Sequence, residues 1–271
     1  MVEQWENEIC LNQWGYINSI KEPEGRRFSG NRILSTKELT EYRSLVGQLN
    51  WVSLHTMPEV SFNVSELSKA FKEGTTQDMR KLIKVVRKVK HIMGEIVMSK
   101  LEEENLYWEA YADASFGNIE DGHTQLGYII SLTDGRRRCP IWWKSRKSRR
   151  VAKSTIEAEA LSVGEVIEGL VYFNRLWEEI VGESKLKAIV KTDSRTLMTA
   201  IKSSTGVSGK RLKIEIAAIR ETIESGEIKE VQWIAGKKQI ADVLTKAGVS
   251  EENIRMYVES RDMEKNEEVG L

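Results

Sequence analysis

Residues 106–115 read LYWEAYADAS, a run with the length and the aromatic composition of a buried strand, and it carries an acid where such a strand should be apolar. Asp113 is that acid. Burying an ionised carboxylate without compensation is costly, so the surroundings of Asp113 must supply hydrogen bonds, a cation or a metal ion. An Asp at a strand end facing water is the plainer alternative, and the flanking segments decide between them.

Downstream, a polar turn (FGNIEDGHTQ, 116–125) leads to LGYIISLT, then Asp134-Gly135, then CPIWWKS. This order predicts an antiparallel three-strand meander closed by an Asp-Gly turn. Thr155 to Val181 then carries apolar residues at helical spacing: Ile156, Val163, Val166, Leu170, Phe173 and Trp177. Ser154 or Thr155 can cap this helix. Lys187 to Asp193 reads as a short strand running into a helix at Ser194 to Lys202, and helix capping is the plain role for Asp193. A Gly/Ser linker precedes a helix around Lys210 to Ser225, a strand over Glu227 to Ala235, and a last helix around Lys237 to Lys246. The remainder, 249–271, is acidic and weakly patterned, and reads as a helix with a frayed tail.

Three meander strands, helix, strand, helices, strand, helix describe an α/β fold: a five-stranded mixed sheet with flanking helices, whose crossovers set the fourth and fifth strands parallel to the first. Four acids fall at telling places in it. Asp113 is on the first strand, Glu159 on the first helix, Asp193 at the end of the fourth strand and Asp242 early in the last helix. Neighbouring elements can bring all four to one sheet edge, the arrangement that two divalent cations with oxygen ligands require. Glu157 stands two residues from Glu159, but only Glu159 shares the apolar stripe of its helix. Glu157 lies about 200° away, with Gly164 and Glu168.

Upstream, residues 1–36 read as loops with a strand or short helix around Ile9 to Ile20. Three helical stretches follow between Thr36 and Gly94, with Ser35 or Thr36 capping the first and Pro58 opening the second. In the third, Leu82, Val85, Val86 and Val89 form an apolar stripe opposite a basic face that includes Arg80, Lys84 and Arg87, with no acid from Met79 to Met93. A second basic stretch, Gly135 to Lys153, holds nine Lys or Arg and no acid, interleaved with Trp142 and Trp143. Lys144, Arg146, Lys147, Arg149 and Arg150 there can neutralise phosphates while an indole lies against sugar or base.

Over all 271 residues, 41 Lys and Arg balance 41 Asp and Glu, so attraction to nucleic acid must come from those local clusters. The 40% apolar and 30% charged composition fits a folded, soluble chain. No run approaches the ~18 apolar residues of a membrane span, and the acidic start MVEQWENEIC is unlike a signal peptide, which predicts an intracellular protein, cytoplasmic or nuclear. Cys10 and Cys139 lack ligand spacing, as do His55, His91 and His123, so no disulfide framework, zinc site or histidine triad is expected.

YADAS (111–115), STIEAEALSV (154–163), VKTDSRTLMTAI (190–201) and QIADVLTK (239–246) resemble, in order, the ribonuclease H motifs of Ty1/copia-type retrotransposon polyproteins. Upstream, YRSLVGQLNWVSLHTMPEVSFNVSELSKAF (42–71) looks like the thumb and connecting region of the same reverse transcriptase, and ICLNQWGYINSI (9–20) like the end of its palm. The resemblance implies a helical reverse-transcriptase remnant over 1–100, a ribonuclease H-like domain over 101–248 and a tail over 249–271. It implies hydrolysis of the RNA strand of RNA/DNA hybrids with two Mg²⁺ ions, for which Mn²⁺ can substitute, held by Asp113, Glu159, Asp193 and Asp242. Partners would be the hybrid and the rest of a reverse transcriptase. The chain departs from the family in two ways. The polymerase signature Tyr-x-Asp-Asp is absent, so no polymerase activity is expected, and WIAGKKQIAD (233–242) lacks the histidine that cellular ribonucleases H carry before the last acid. A non-catalytic remnant that binds nucleic acid or a partner protein is the alternative.

Overall fold

A computed structural model of the chain describes residues 1–23, 28–117, 123–182, 185–203 and 207–259. Two compact units divide it, 1–97 and 98–271. No described helix is long and apolar enough to cross a membrane.

In the first unit, β1 (Val2–Gln4) pairs antiparallel with β2 (Glu8–Asn12), and the short α1 (Trp14–Ser19) follows. The three expected helices are α2 (Thr36–His55), α3 (Ser61–Leu67) and α4 (Thr76–Ile92). Their starts are written locally. Ser35 and Glu38 form a reciprocal capping box, as do Thr75 and Asp78, each satisfying amide donors that a helix start leaves unpaired. Pro58 opens a 3-10 turn, Pro58–Val60, that runs directly into α3. The α4 stripe of Leu82, Val85, Val86 and Val89 is buried in one core with Leu45, Leu49 and Val52 of α2. A third strand, β3 (Glu95–Ser99), joins β1 and β2 in the order β1-β2-β3. The sequence pattern did not mark β1 or β3.

The second unit is built on β4 (Tyr107–Ser115), β5 (Gln125–Thr133) and β6 (Arg138–Lys147), an antiparallel meander. The second meander turn is made by Asp134, whose Oδ1 accepts the amides of Arg136 at 2.8 Å and Arg137 at 2.7 Å, with Gly135 at φ +91°. Part of the first meander turn, 118–122, lies outside the described residues. Helix α5 (Thr155–Val181) has Ser154 as its cap and crosses to β7 (Lys187–Thr192), parallel to β4. Helices α6 (Arg195–Lys202) and α7 (Lys210–Glu224) lead to β8 (Glu230–Trp233), parallel to β7. The sheet order is β6-β5-β4-β7-β8, the five-stranded mixed sheet expected.

Alternation along β4 sorts its two faces. Trp108, Ala110 and Ala112 pack on Ala160, Val163, Val166 and Leu170 of α5. Glu109 and Tyr111 share the other face with Asp113. There the Lys191 ammonium pairs with Glu109, and the Tyr257 hydroxyl donates to Ser131 Oγ at 2.8 Å. Tyr257 belongs to α8 (Glu252–Glu259), in the acidic stretch that reads as a helix with a frayed tail; residues 260–271 of that stretch lie outside the described residues.

Two expectations need correction. The strand expected over Glu227 to Ala235 is limited to Glu230–Trp233, because pairing with β7 spans only those four residues. The helix expected over Lys237 to Lys246 is instead two 3-10 turns, Gly236–Lys238 and Ile240–Leu244. Ile240, Ala241, Val243 and Leu244 are all buried, and a tight turn wedged against the sheet meets that demand where an α-helix would leave one side to solvent.

Candidate metal centre

Asp113 sits near the C-terminal end of β4, the end of a parallel strand pair at which α/β sheets place ligand sites. It is 1% exposed. Its row across the sheet is Asp113, Gly127, Ser145. Gly127 is required there: a Cβ at this position would lie 2.6 Å from Thr245 Cγ2 and 2.7 Å from Leu244 Cβ. Its bare backbone lets the Ile240–Leu244 turn close over the strand, and Ser145 Oγ donates to the Leu244 carbonyl at 2.6 Å. That turn carries Asp242.

Asp193 follows β7 directly. It does not cap α6, since Ser194 does so by accepting the Leu197 amide. Asp193 is thereby left for other work. Gln239 donates to the Ala112 carbonyl at 2.9 Å, tying the turn to β4.

Asp113, Asp193 and Asp242 each offer an oxygen within 4.8 Å of the others. Glu159 is not among these converging oxygens, but it lies close enough to feel their charge. It is 6% exposed, its Oε2 is buried without a hydrogen-bond partner, and burial followed by the negative charges of Asp113 and Asp193 pushes its carboxyl up to about 9. Burial likewise raises Asp113, with Lys246 pulling the other way, and burial then Asp113 raise Asp193. Carboxylates crowded this closely repel unless a cation sits among them. Three convergent carboxylates, with the buried acid of Glu159 feeling their charge, are a hard-oxygen donor set of the kind that divalent cations take.

Glu157 is also buried, at 7% exposure, contrary to the polar surface expected for it. Its Oε2 accepts the Lys153 amide at 2.8 Å, so it closes the first turn of α5 while Glu159 faces the acids. Three residues of this site were missed from the sequence. The Thr245 hydroxyl donates to Asp113 Oδ2, Lys246 Nζ lies 2.6 Å from Asp242 Oδ1 and 3.3 Å from Asp113 Oδ1, and Gln239 braces the turn. Only the four-residue spacing of Asp242 and Lys246 was legible as a signal. Burial lowers Lys246, but Asp113 and Asp242 together outweigh it and hold the ammonium above its ordinary value.

The basic residues divide between the two units. In the first unit Arg80 donates to the Gly30 carbonyl at 2.7 Å, Arg87 pairs with Glu22 and Lys84 is exposed. In the second, Lys144, Arg146, Arg149 and Arg150 line a groove of about 650 Å³ floored by Tyr128 and Trp142. Arg146 pairs there with Glu165, and Arg150 with Glu215 at 2.6 Å. Lys147 lies at the end of β6.

No family model matches the chain. It is similar to the Retrovirus-related Pol polyprotein from transposon RE1 of Arabidopsis thaliana, 27% identical over 83% of this chain and 15% of the relative. The corresponding polyprotein from transposon TNT 1-94 of Nicotiana tabacum is 26% identical over 90% of this chain and 19% of its own length. The Transposon Ty1-NL2 Gag-Pol polyprotein of Saccharomyces cerevisiae is 34% identical over 51% of this chain and 8% of its own. The chain thus spans less than a fifth of each of these relatives. Among solved structures, LC11-RNase H1, isolated from compost, aligns at TM-score 0.40 and 18% identity over 51% of this chain and 91% of its own. The foamy viral protease-reverse transcriptase in complex with RNA/DNA hybrid aligns at TM-score 0.45 and 15% identity over 88% of this chain and 28% of its own.

Proposed function

We propose that this chain, a homologue of part of the Ty1/copia-type transposon Pol polyproteins, is a ribonuclease H that hydrolyses the RNA strand of RNA/DNA hybrids with divalent metal. The observation that carries the reading is the convergence of Asp113, Asp193 and Asp242 at the end of a parallel strand pair, with the buried carboxyl of Glu159 feeling their charge. Asp113, Glu159, Asp193 and Asp242 would hold two Mg²⁺ ions, with Mn²⁺ able to substitute. Such cations, when bound, activate a water and stabilise the leaving oxygen of an in-line displacement at phosphorus.

The chain itself supplies alignment. Asp113 is fixed on a buried strand, with the Thr245 hydroxyl on one carboxylate oxygen and Lys246 on the other, so its orientation is set before substrate arrives. Gln239 keeps the Asp242 turn in register with that strand. Lys144 and Arg149 of the groove would meet phosphates. Recognition through backbone and 2′-hydroxyls requires no particular base sequence.

The test is an end-labelled RNA/DNA hybrid incubated with the chain and Mg²⁺. Internal cleavage of the RNA alone, abolished by chelation and by Asp113→Asn, is the expected result. Hybrid that is bound but left intact in Mg²⁺ and in Mn²⁺ would replace the enzyme by a nucleic-acid-binding remnant.

A further inference from the structure

Lys246 occupies a position that a metal-binding reading of the acids leaves unexplained. Its Nζ lies 2.6 Å from Asp242 Oδ1 and 3.3 Å from Asp113 Oδ1, bridging two of the three carboxylates that converge. Both Asp113 oxygens are therefore engaged, one by this ammonium and the other by the Thr245 hydroxyl. An inner-sphere cation and an ammonium cannot share the same side of one carboxylate oxygen, because each needs that lone pair and the two repel.

Resting on the metal reading above, we propose that Lys246 is a built-in counter-ion that competes with the divalent cation for Asp113 and Asp242. Loading the site is then an exchange of ammonium for metal. The fold provides for both states. Asp113, 1% exposed, needs a positive partner whether or not metal is bound. Lys246 follows a short turn on a flexible four-carbon stem, and its side chain is one-third exposed, which leaves the ammonium a way out to water. Asp193 makes no salt bridge with it among the described residues, and Glu159 Oε2 has no partner, so a cation can gain first contacts there before the lysine leaves. The exchange has a consequence for affinity: metal must displace two charge-assisted hydrogen bonds, so the native site binds more weakly than the same acids without the lysine.

The test uses the full chain and Mn²⁺ binding followed by electron paramagnetic resonance, a readout independent of cleavage. Lys246→Met is expected to bind Mn²⁺ at least tenfold more tightly than wild type. Equal or weaker binding by a folded variant would overturn the exchange. Because the variant removes the partner of a buried acid and can fail to fold, wild-type chain is also labelled with acetic anhydride and mapped by mass spectrometry. Labelling of Lys246 is expected to rise several-fold in saturating Mn²⁺, while Lys191, held by Glu109, stays constant. Unchanged labelling of Lys246 in metal-loaded protein would also overturn it. If wild type binds Mn²⁺, Asp113→Asn does not, and Lys246 behaves identically with and without metal, the metal site stands and the exchange alone fails. If neither wild type nor Lys246→Met binds Mn²⁺, both readings fail together.

Discussion

Gln239 Nε2 donates a 2.9 Å hydrogen bond to the carbonyl of Ala112, the residue before Asp113, joining groups 127 positions apart in sequence. Its Oε1 accepts the Ala241 amide, so one buried side chain both shapes the turn that bears Asp242 and pins it to β4. Replacing it by Leu leaves a buried carbonyl unpaired at a cost of about 1–3 kcal/mol. Gln239→Leu is therefore expected to lower the denaturation midpoint and weaken Mn²⁺ binding together. Normal metal affinity in the destabilised variant would mean that the brace serves folding alone.

Glu157 and Glu159, near the start of α5, separate by partner. Glu159→Gln is expected to fold and to lose most metal-dependent cleavage, since an amide cannot supply the ligand charge. Glu157→Gln removes a charge from the first turn of the helix and weakens its bond to the Lys153 amide, a loss of roughly 0.3–1 kcal/mol with cleavage retained. Cleavage assays and thermal melts on both variants check this, and loss of cleavage in Glu157→Gln alone would exchange the roles.

Stability in the absence of metal should depend on pH through Glu159. Its folded-state value, about 9, lies above the ordinary value of 4.5. Below that ordinary value the folded and unfolded chains both hold the proton. As pH climbs from there toward 9, the unfolded chain releases a proton that the folded chain keeps, so folding weakens. In chelator, unfolding free energy is expected to fall by roughly 1–3 kcal/mol from about pH 6 to about pH 8.5. Glu159→Gln should flatten that slope, and an unaltered slope in the variant would assign the dependence elsewhere.

Hybrid affinity should fall steeply with salt, and the basic residues should contribute unequally. Arg146 and Arg150 are held by Glu165 and Glu215, so their loss should act first on stability. Lys144→Ala with Arg149→Ala is expected to reduce the slope of log affinity against log salt by about 2. Affinity that ignores salt would make this groove an ordinary solvated face.

Gly127 tests how closely the turn must approach. Gly127→Ala puts a methyl group 2.6 Å from Thr245 Cγ2 and 2.7 Å from Leu244 Cβ, contacts that backbone displacement must relieve. About 1–3 kcal/mol of destabilisation is expected, with reduced metal affinity because Asp242 and Lys246 ride on the displaced segment. Unchanged melting and metal binding would show that the turn can retreat freely.

Much of this protein was legible residue by residue. The caps at Ser35 and Ser154, the full span of α5 and the Asp134-Gly135 turn all depend on neighbours a few positions away, and local chemistry specifies them. The oddity of Asp113 in an apolar strand was equally plain, as was the acid on the buried stripe of α5. Tertiary structure alone decided how these acids are kept. Whether Asp193 caps α6 depended on Ser194 taking that role, and whether Glu157 is exposed depended on the Lys153 amide folding over it. Lys246, Thr245 and Gln239 acquired their partners only when a glycine on β5 let a distant turn close on β4. Sequence periodicity reports which side of an element is buried, whereas the charge balance of a buried site is set by groups more than 100 residues apart, and no local pattern encodes that meeting.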